Sequence, residues 1–177
     1  MTSDFNIADR LKQVADNRAD NWALVDSTQV DPTRMSFAEL DEDATVLGRG
    51  LLAEGFEPGD RVLVFIQPSM DFFAVIWALF RIGAVPIFVD PAMGVQPVLR
   101  AVREASPRRV LAIEPVMWLA KLYPSVFESV KTWIRPKSLG LLGTSLGRIR
   151  ANGARERSDP RFAAGTDGLA AVLFTSG

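Results

Sequence analysis

The pattern of apolar and polar residues along this chain predicts helices and strands in alternation. Apolar residues recur at helical spacing in five stretches, which begin near Ile7, Phe37, Ser69, Pro97 and Pro115. Short apolar runs typical of buried strands lie between them, at 22–26, 61–67, 84–89 and 109–113. Helices and strands that alternate in segments of this length form right-handed crossovers and a parallel sheet. The predicted fold class is therefore α/β, a layered and largely parallel sheet with flanking helices.

Local signals predict where several of these elements begin and end. Ser36 and Glu39 have the spacing of a capping box at the start of a long helix. Ser69 is a second candidate helix cap, and Gly83 is a candidate helix end. Pro86 lacks an N–H group, which favours a position near the start of its strand or on a sheet edge.

The sequence ends with a short apolar run, 169–174, that leads into Thr175, Ser176 and Gly177. Backbone N–H groups in such a small, hydroxylated turn can converge on an anion, and the hydroxyls add donors. Ligands of parallel sheets bind at the carboxyl ends of the strands, where these residues would lie if the run joins the sheet. From the tripeptide alone, a strand simply leaving the core is the commoner explanation, and a phosphate-binding loop is the alternative.

Composition narrows the chemistry that the chain can perform. The 177 residues are 48% hydrophobic and 23% charged, as in an ordinary globular domain. Neither cysteine nor histidine is present, which excludes a thiol nucleophile, a Ser-His-Asp triad and imidazole metal ligands from this chain. The remaining groups suit catalysis by positioning and electrostatic stabilisation, of which transfer at phosphorus is a leading example. The alternative is that catalytic groups lie outside this sequence.

Charge is distributed unevenly. Residues 1–60 carry 13 acidic and 5 basic residues, whereas residues 61–177 carry 8 acidic and 15 basic residues. The second part is therefore the favoured face for an anionic partner.

Residues 131–161 stand out by being rich in Gly, Ser and Arg, with eight basic and two acidic residues. This composition favours a long surface connection, or a loop that gains structure from what it touches. Apolar residues interleave with the basic ones: Trp133, Ile134, Leu139, Leu141, Leu142, Leu146 and Ile149. One hypothesis is an interfacial segment that contacts a membrane, an aliphatic substrate or a partner enzyme.

The sequence gives no sign of a membrane span or a secretory signal. Residues 72–89 are apolar apart from Arg81, but Arg81, Gly83 and Pro86 divide them into a helix and a strand. The first residues lack a basic segment followed by an apolar one, so a cytoplasmic location is expected. Asp60 and Asp90 each adjoin a turn residue, which favours capping and turn hydrogen bonds over a catalytic role.

Several motifs together resemble the N-terminal part of the adenylate-forming ligases, the superfamily of acyl-CoA synthetases, luciferases and peptide-synthetase adenylation domains. They are Met-Ser-Phe-Ala-Glu-Leu-Asp at 35–41, Pro-Gly-Asp-Arg-Val at 58–62, Gly-Ala-Val-Pro at 83–86, Val-Asp-Pro at 89–91 and Phe-Thr-Ser-Gly at 174–177. Each motif is weak alone, but their order and spacing reverse the preference stated above and favour a phosphate loop. The resemblance implies that residues 1–177 are an incomplete N-terminal AMP-binding domain, with the C-terminal domain absent.

Two features look like a narrower branch of that superfamily. Asp-Pro-Ala-Met-Gly at 90–94, followed by Arg100 and by Glu-Ala-Ser-Pro at 104–107, is similar to the OleC-type enzymes, which close β-lactones from 2-alkyl-3-hydroxy fatty acids. Fatty-acid ligases look much the same in this region.

The resemblance implies a two-step reaction for the full-length protein. A fatty acyl carboxylate would attack the α-phosphate of Mg-ATP to give an acyl-adenylate and pyrophosphate, and CoA or the substrate's own hydroxyl would then attack the adenylate. Thr175 and Ser176 would contact phosphate, and Gly177 would permit the loop geometry. The family's groups for adenine, ribose, Mg²⁺, acyl recognition and its catalytic Lys fall after Gly177, so no catalytic or metal residue is assigned here. Residues 1–177 alone are expected to be inactive.

Two other functions compete with this prediction. The first is a non-catalytic module that binds an acyl chain or a partner on the same scaffold. The second, a nicotinamide dehydrogenase, fits the α/β pattern but lacks a Gly-x-Gly-x-x-Gly turn after the first strand. No nucleic-acid partner is expected, and the sequence leaves the acyl substrate and the oligomeric state open.

Overall fold

The computed structural model describes residues 5–28, 31–137, 144–163 and 168–175. The described helices are α1 (Ala8–Asn17), α2 (Phe37–Ala53), α3 (Met70–Arg81), α4 (Val95–Ala105), α5 (Glu114–Leu122) and α6 (Leu146–Gly153). The described strands are β1 (Trp22–Asp26), β2 (Thr33–Ser36), β3 (Arg61–Phe65), β4 (Val85–Val89), β5 (Arg109–Ala112), β6 (Thr132–Arg135), β7 (Thr144–Ser145) and β8 (Val172–Phe174). Short 3₁₀ turns lie at Pro91–Met93 and Pro124–Val126.

Six of these strands form one parallel sheet, in the spatial order β7-β6-β5-β3-β4-β8. Strands β1 and β2 pair separately and antiparallel. The α/β fold with a parallel sheet is confirmed. Strand β4 lies between β3 and β8 rather than on an edge, and Pro86 is its second residue, near the start of the strand.

Helices cover both faces of the sheet. Alternation along β3 sends Val62 and Val64 into one core and Leu63 into the other. The first core receives buried side chains from α1, α2, α3 and α6, and the second receives them from α4 and α5. The three central side chains of β3, Val62, Leu63 and Val64, are thus buried, which explains the continuous apolar run of this strand.

The helix boundaries follow the local signals. The Glu39 N–H donates to Ser36 Oγ at 3.2 Å, and the Ser36 N–H donates to Glu39 Oε2 at 2.7 Å, which confirms the capping box. The hydrogen bond from the Ser36 backbone lowers the pKa of Glu39. Ser69 caps α3, and Gly83 follows it with φ +73°.

The structure corrects the surface-connection interpretation of 131–161 for the part that it describes. This part contributes β6, β7 and α6, and Ile134, Leu146 and Ile149 are buried in the first core. Trp133 packs against Phe127, with ring centroids 5.7 Å apart. These apolar side chains are core residues and do not form a membrane-contacting face, while Leu139, Leu141 and Leu142 lie outside the described residues.

The glycine content of 131–161 suggests a surface connection, but this interpretation is wrong because α6 needs glycine to approach α2. A Cβ added at Gly153 would lie 1.9 Å from the carbonyl oxygen of Val46, and one at Gly50 would lie 2.1 Å from that of Ile149. The glycines that suggest a loop therefore allow two helices to pack closely. Among the described residues, no helix combines the length and the apolar character that crossing a bilayer requires.

Candidate functional site

The carboxyl ends of β3, β4 and β8 meet around a cavity of about 590 Å³, which we call the β8 cavity. Its volume falls in the range of small-molecule sites. Its lining is Val64, Phe65, Ile66, Gln67, Pro68, Phe72, Phe88, Val89, Asp90, Pro91, Ile113, Leu173, Phe174 and Thr175. Apolar and aromatic side chains predominate, with few polar groups among them.

Thr175 lies at the rim of this cavity, directly after β8. That strand pairs in parallel with β4, with Phe174 opposite Val89. The expectation that the last apolar run joins the sheet is confirmed, although only Val172–Phe174 is strand. Thr175 is exposed, and Ser176 and Gly177 lie outside the described residues. The phosphate-contact role of these three residues stays a prediction.

Aromatic rings from two elements form a wall of the β8 cavity. Phe72 in the first turn of α3 packs against Phe88 of β4, with ring centroids 6.0 Å apart. The position of Phe72 follows from the Ser69 cap, whose Oγ accepts a hydrogen bond from the Phe72 N–H at 3.2 Å. Sequence reasoning predicted the cap but missed the wall, because it pairs residues from two elements.

Asp90 also lines the β8 cavity, and it forms the predicted turn hydrogen bond. Its Oδ1 accepts a hydrogen bond from the Ala92 N–H at 2.8 Å and caps the 3₁₀ turn Pro91–Met93. The carboxylate thus holds the loop after β4.

A second cavity of about 480 Å³ lies beside the first, at the carboxyl ends of β3, β5 and β6, and we call it the β6 cavity. Ile66, Gln67 and Ile113 line both cavities. The β6 cavity is the more charged of the two, with Asp71, Glu114, Arg135 and Lys137 in its lining. The interpretation of 131–161 as a connection does not predict this cavity, because β6 and part of the lining belong to that segment.

Ion pairs hold three of these charged groups, Asp71, Glu114 and Arg135. Arg150 of α6 donates to both carboxylate oxygens of Asp43 and to Asp71 Oδ1, each at 2.7 Å. The hydrogen bonds to Asp43 are the main reason that the pKa of Arg150 is raised. Arg135 Nε lies 3.5 Å from Glu114 Oε1. Asp71 therefore links α3 to α6, which favours a structural role over proton transfer.

Metal ligands are not grouped in the part of the chain that the structure describes. No three Asp, Glu, His or Cys side chains there come close enough together to hold an ion.

Comparison with known proteins gives a family for this fold and site. Residues 11–177 match the family described as AMP-binding enzyme. An olefin β-lactone synthetase of Stenotrophomonas maltophilia is 33% identical over 191 residues, and one of Xanthomonas campestris is 33% identical over 188 residues. Both alignments cover 100% of this chain and 33% of the relative, so the chain spans about a third of their length.

Solved structures show the same fold. A long-chain-fatty-acid-CoA ligase from Archaeoglobus fulgidus superposes with a TM-score of 0.79 at 20% identity, covering 99% of this chain and 35% of that one. An anthranilate CoA ligase solved with anthranoyl-AMP superposes with a TM-score of 0.79 at 15% identity, covering 98% of this chain and 32% of that one. Because the family match extends over nearly the whole sequence, this chain belongs to the family of AMP-binding enzymes.

Proposed function

We propose that the full-length protein activates a fatty acid or a 2-alkyl-3-hydroxy fatty acid with ATP, and converts the acyl-adenylate into an acyl-CoA or a β-lactone with release of AMP. The observation that carries this proposal is the 33% identity to two olefin β-lactone synthetases over the whole chain. The geometry supports it, because Thr175 lies at the carboxyl edge beside an apolar cavity of about 590 Å³.

The proposed first step is nucleophilic displacement at phosphorus. A carboxylate oxygen of the acid forms a bond to the α-phosphorus of ATP, and the bond from that phosphorus to the bridging oxygen breaks. Pyrophosphate leaves with the electron pair. In this proposal the Thr175 hydroxyl donates a hydrogen bond to a phosphate oxygen, and Ser176 and Gly177 continue the same loop.

The described residues fit part of the ligand set. A threonine at the carboxyl end of a parallel strand suits a phosphate group, and the aromatic walls of the β8 cavity suit an apolar portion of a ligand. Mg²⁺ supplies charge neutralisation at the phosphates in this chemistry, and no Mg²⁺ ligand is assigned to this chain. No CoA contact is assigned to this chain.

The proposed activity is that of a full-length protein about as long as these relatives. In this proposal, residues 1–177 form the N-terminal part of its AMP-binding domain and do not catalyse the reaction by themselves.

The experiment that tests this proposal follows both steps in the full-length protein. Exchange of labelled pyrophosphate into ATP is measured with a 2-alkyl-3-hydroxy fatty acid and with the matching unsubstituted fatty acid, and products are identified by mass. A β-lactone formed without CoA supports the lactone branch, whereas a thioester formed only with CoA supports the ligase branch. Absence of exchange with either acid would contradict the proposal and favour a non-catalytic module.

A further inference from the structure

Helix α5 exposes large apolar side chains to an unusual extent. Val116 is its one buried residue, whereas α4, which covers the same face of the sheet, has five. Trp118 is 62% exposed and Leu122 is 75% exposed, and their spacing of four residues places them on one side of the helix. Tyr123, which follows the helix, is also exposed.

Basic side chains flank these apolar groups. The Lys121 ammonium lies 4.3 Å from the centroid of the Trp118 ring. Tyr123 lines a cavity of about 350 Å³ together with Arg100 and Arg103, two exposed residues one turn apart on α4. Neither arginine side chain forms an ion pair or a hydrogen bond with another described residue.

Few carboxylates accompany these basic groups: the one acidic residue of α5, Glu114, is paired with Arg135, whose Nε lies 3.5 Å from its Oε1. The cavity at Tyr123 and the neighbouring cavity at Lys121 have no Asp or Glu in their described linings. The single acidic residue of α4, Glu104, belongs to neither lining. The surface therefore combines a net positive charge with an exposed tryptophan, leucine and tyrosine.

We propose that this surface binds an anionic lipid bilayer, and we call it the α5 face, defined by Arg100, Arg103, Trp118, Lys121, Leu122 and Tyr123. Tryptophan and tyrosine favour the boundary between headgroups and acyl chains, and Lys and Arg are attracted to anionic headgroups. In this arrangement Trp118 and Leu122 enter the boundary while the two arginines contact headgroup phosphates. An acidic protein surface would match the charges, but it would not by itself account for the exposed Trp118 and Leu122.

The position of the α5 face gives the contact a function. Helix α5 begins at Glu114, which lines the β6 cavity at the carboxyl edge of the sheet. A bilayer bound along α5 therefore lies next to the edge that holds the candidate site. In the proposed function the substrate is an amphiphile that partitions into bilayers, so the contact would bring the enzyme to its substrate. Lipid binding by the α5 face does not depend on that activity.

The test is binding of the full-length protein to vesicles, without substrate or ATP. The protein is sedimented at low salt with vesicles of phosphatidylcholine and phosphatidylglycerol, and with vesicles of phosphatidylcholine alone. We expect binding to the anionic vesicles, weakened by salt. The Arg100→Gln, Arg103→Gln double variant should lower the partition coefficient about 25-fold, or roughly fivefold for each basic residue. Trp118→Ala should lower it about tenfold.

Two matched controls remove the same chemistry elsewhere. Arg155→Gln, Arg157→Gln deletes two exposed positive charges that follow α6, on the opposite side of the sheet. Trp22→Ala deletes a tryptophan that is 55% exposed and has the Arg34 guanidinium 5.6 Å from its ring centroid. Both controls should bind as the unmodified protein does, within about twofold.

Any of three results would overturn the proposal. The first is no sedimentation with anionic vesicles at low salt. The second is an equal loss of binding in the α5-face variants and their controls. The third concerns the quenching of tryptophan fluorescence by brominated lipids, which should be lower in Trp118→Phe than in the unmodified protein. Unchanged quenching would mean that protein covers this face.

Discussion

The two edges of the parallel sheet use the same kinds of residue for different purposes. At the amino edge, before β3, Asp60 is 4% exposed. It accepts a hydrogen bond from the Glu57 N–H at 3.1 Å and forms ion pairs with Arg108 at 3.0 Å and Arg109 at 3.1 Å. At the carboxyl edge, Asp90 is exposed and holds one turn beside the β8 cavity.

This difference indicates that the amino edge stabilises the fold, whereas the carboxyl edge leaves room for a ligand. The amino edge is closed around the buried Asp60, whose two carboxylate oxygens accept hydrogen bonds from Arg108, Arg109 and the Glu57 N–H, so this carboxylate is unavailable to a ligand. The carboxyl edge has two adjacent cavities of about 480 and 590 Å³. Removing a charge at the amino edge should therefore affect folding, whereas removing a hydroxyl at the carboxyl edge should affect activity.

The largest expected effect on stability is that of Asp60→Asn. The change leaves the Arg109 guanidinium, which is 8% exposed, without its carboxylate, and breaking a buried ion pair costs about 3–5 kcal/mol. Urea-induced unfolding of the purified protein measures the free energy of unfolding. Asp90→Asn, the matched change at the other edge, should cost about 1 kcal/mol or less. Equal losses in the two variants would remove the distinction between the edges.

The next largest effect is expected where α6 crosses α2. Gly153→Ala places a Cβ 1.9 Å from the Val46 carbonyl oxygen, and because that atom is backbone, the helices must separate, at a cost of about 1–3 kcal/mol. Gly147→Ala in the same helix meets nothing closer than 3.9 Å and should stabilise by up to about 1 kcal/mol. Thermal unfolding of both variants tests this, and a shift of the same sign in both would contradict the close crossing.

A smaller effect should appear as a dependence of stability on pH. Arg161 donates to both carboxylate oxygens of Asp9, at 2.8 and 2.9 Å, and this lowers the pKa of Asp9 below its ordinary value of 3.8. A lowered pKa contributes stability that is present above about pH 4 and lost as the pH falls through the folded-state pKa. Because both side chains are partly exposed, we expect about 0.5–1 kcal/mol.

The measurement for this pair compares Asp9→Asn with the unmodified protein at neutral pH and at about pH 2. The difference in free energy of unfolding should be present at neutral pH and should shrink at low pH. A difference that stays constant with pH would show that the variant acts through something other than the ionised carboxylate.

Local signals were sufficient to predict much of the fold. The Ser36 and Glu39 capping box and the Gly83 helix end depend on residues adjacent in sequence, and the structure confirms them. Strand β7 has two residues and β2 has four, and they were not predicted because pairing with a neighbour, rather than an apolar run, defines them.

The candidate site shows the same limit. The prediction that Thr175 lies at the carboxyl edge followed from one apolar run, but the cavity wall joins residues that only the folded chain brings together. Asp60 was correctly assigned a turn hydrogen bond, yet its arginine partners lie 48 and 49 residues away and leave no local signal. The partners of Asn6 are also distant in sequence. Its side-chain amide, near the start of α1, donates to the carbonyl oxygens of Phe80, Arg81 and Phe162.

The assignment of the carboxyl edge as the nucleotide site can be tested with Thr175→Ala. The measurement is the rate of ATP–pyrophosphate exchange by the full-length protein that carries this change. If Thr175 contacts a phosphate, loss of its hydroxyl should lower the rate about 10- to 100-fold, since a hydrogen bond to a charged group contributes about 1.5–3 kcal/mol. The unfolding midpoint should not change, because this side chain is exposed. Thr28→Ala, which removes an exposed hydroxyl bonded to Asp26, should leave the rate unchanged. An unchanged exchange rate in Thr175→Ala, or a loss that merely follows a loss of folding, would contradict the assignment of this edge as the nucleotide site.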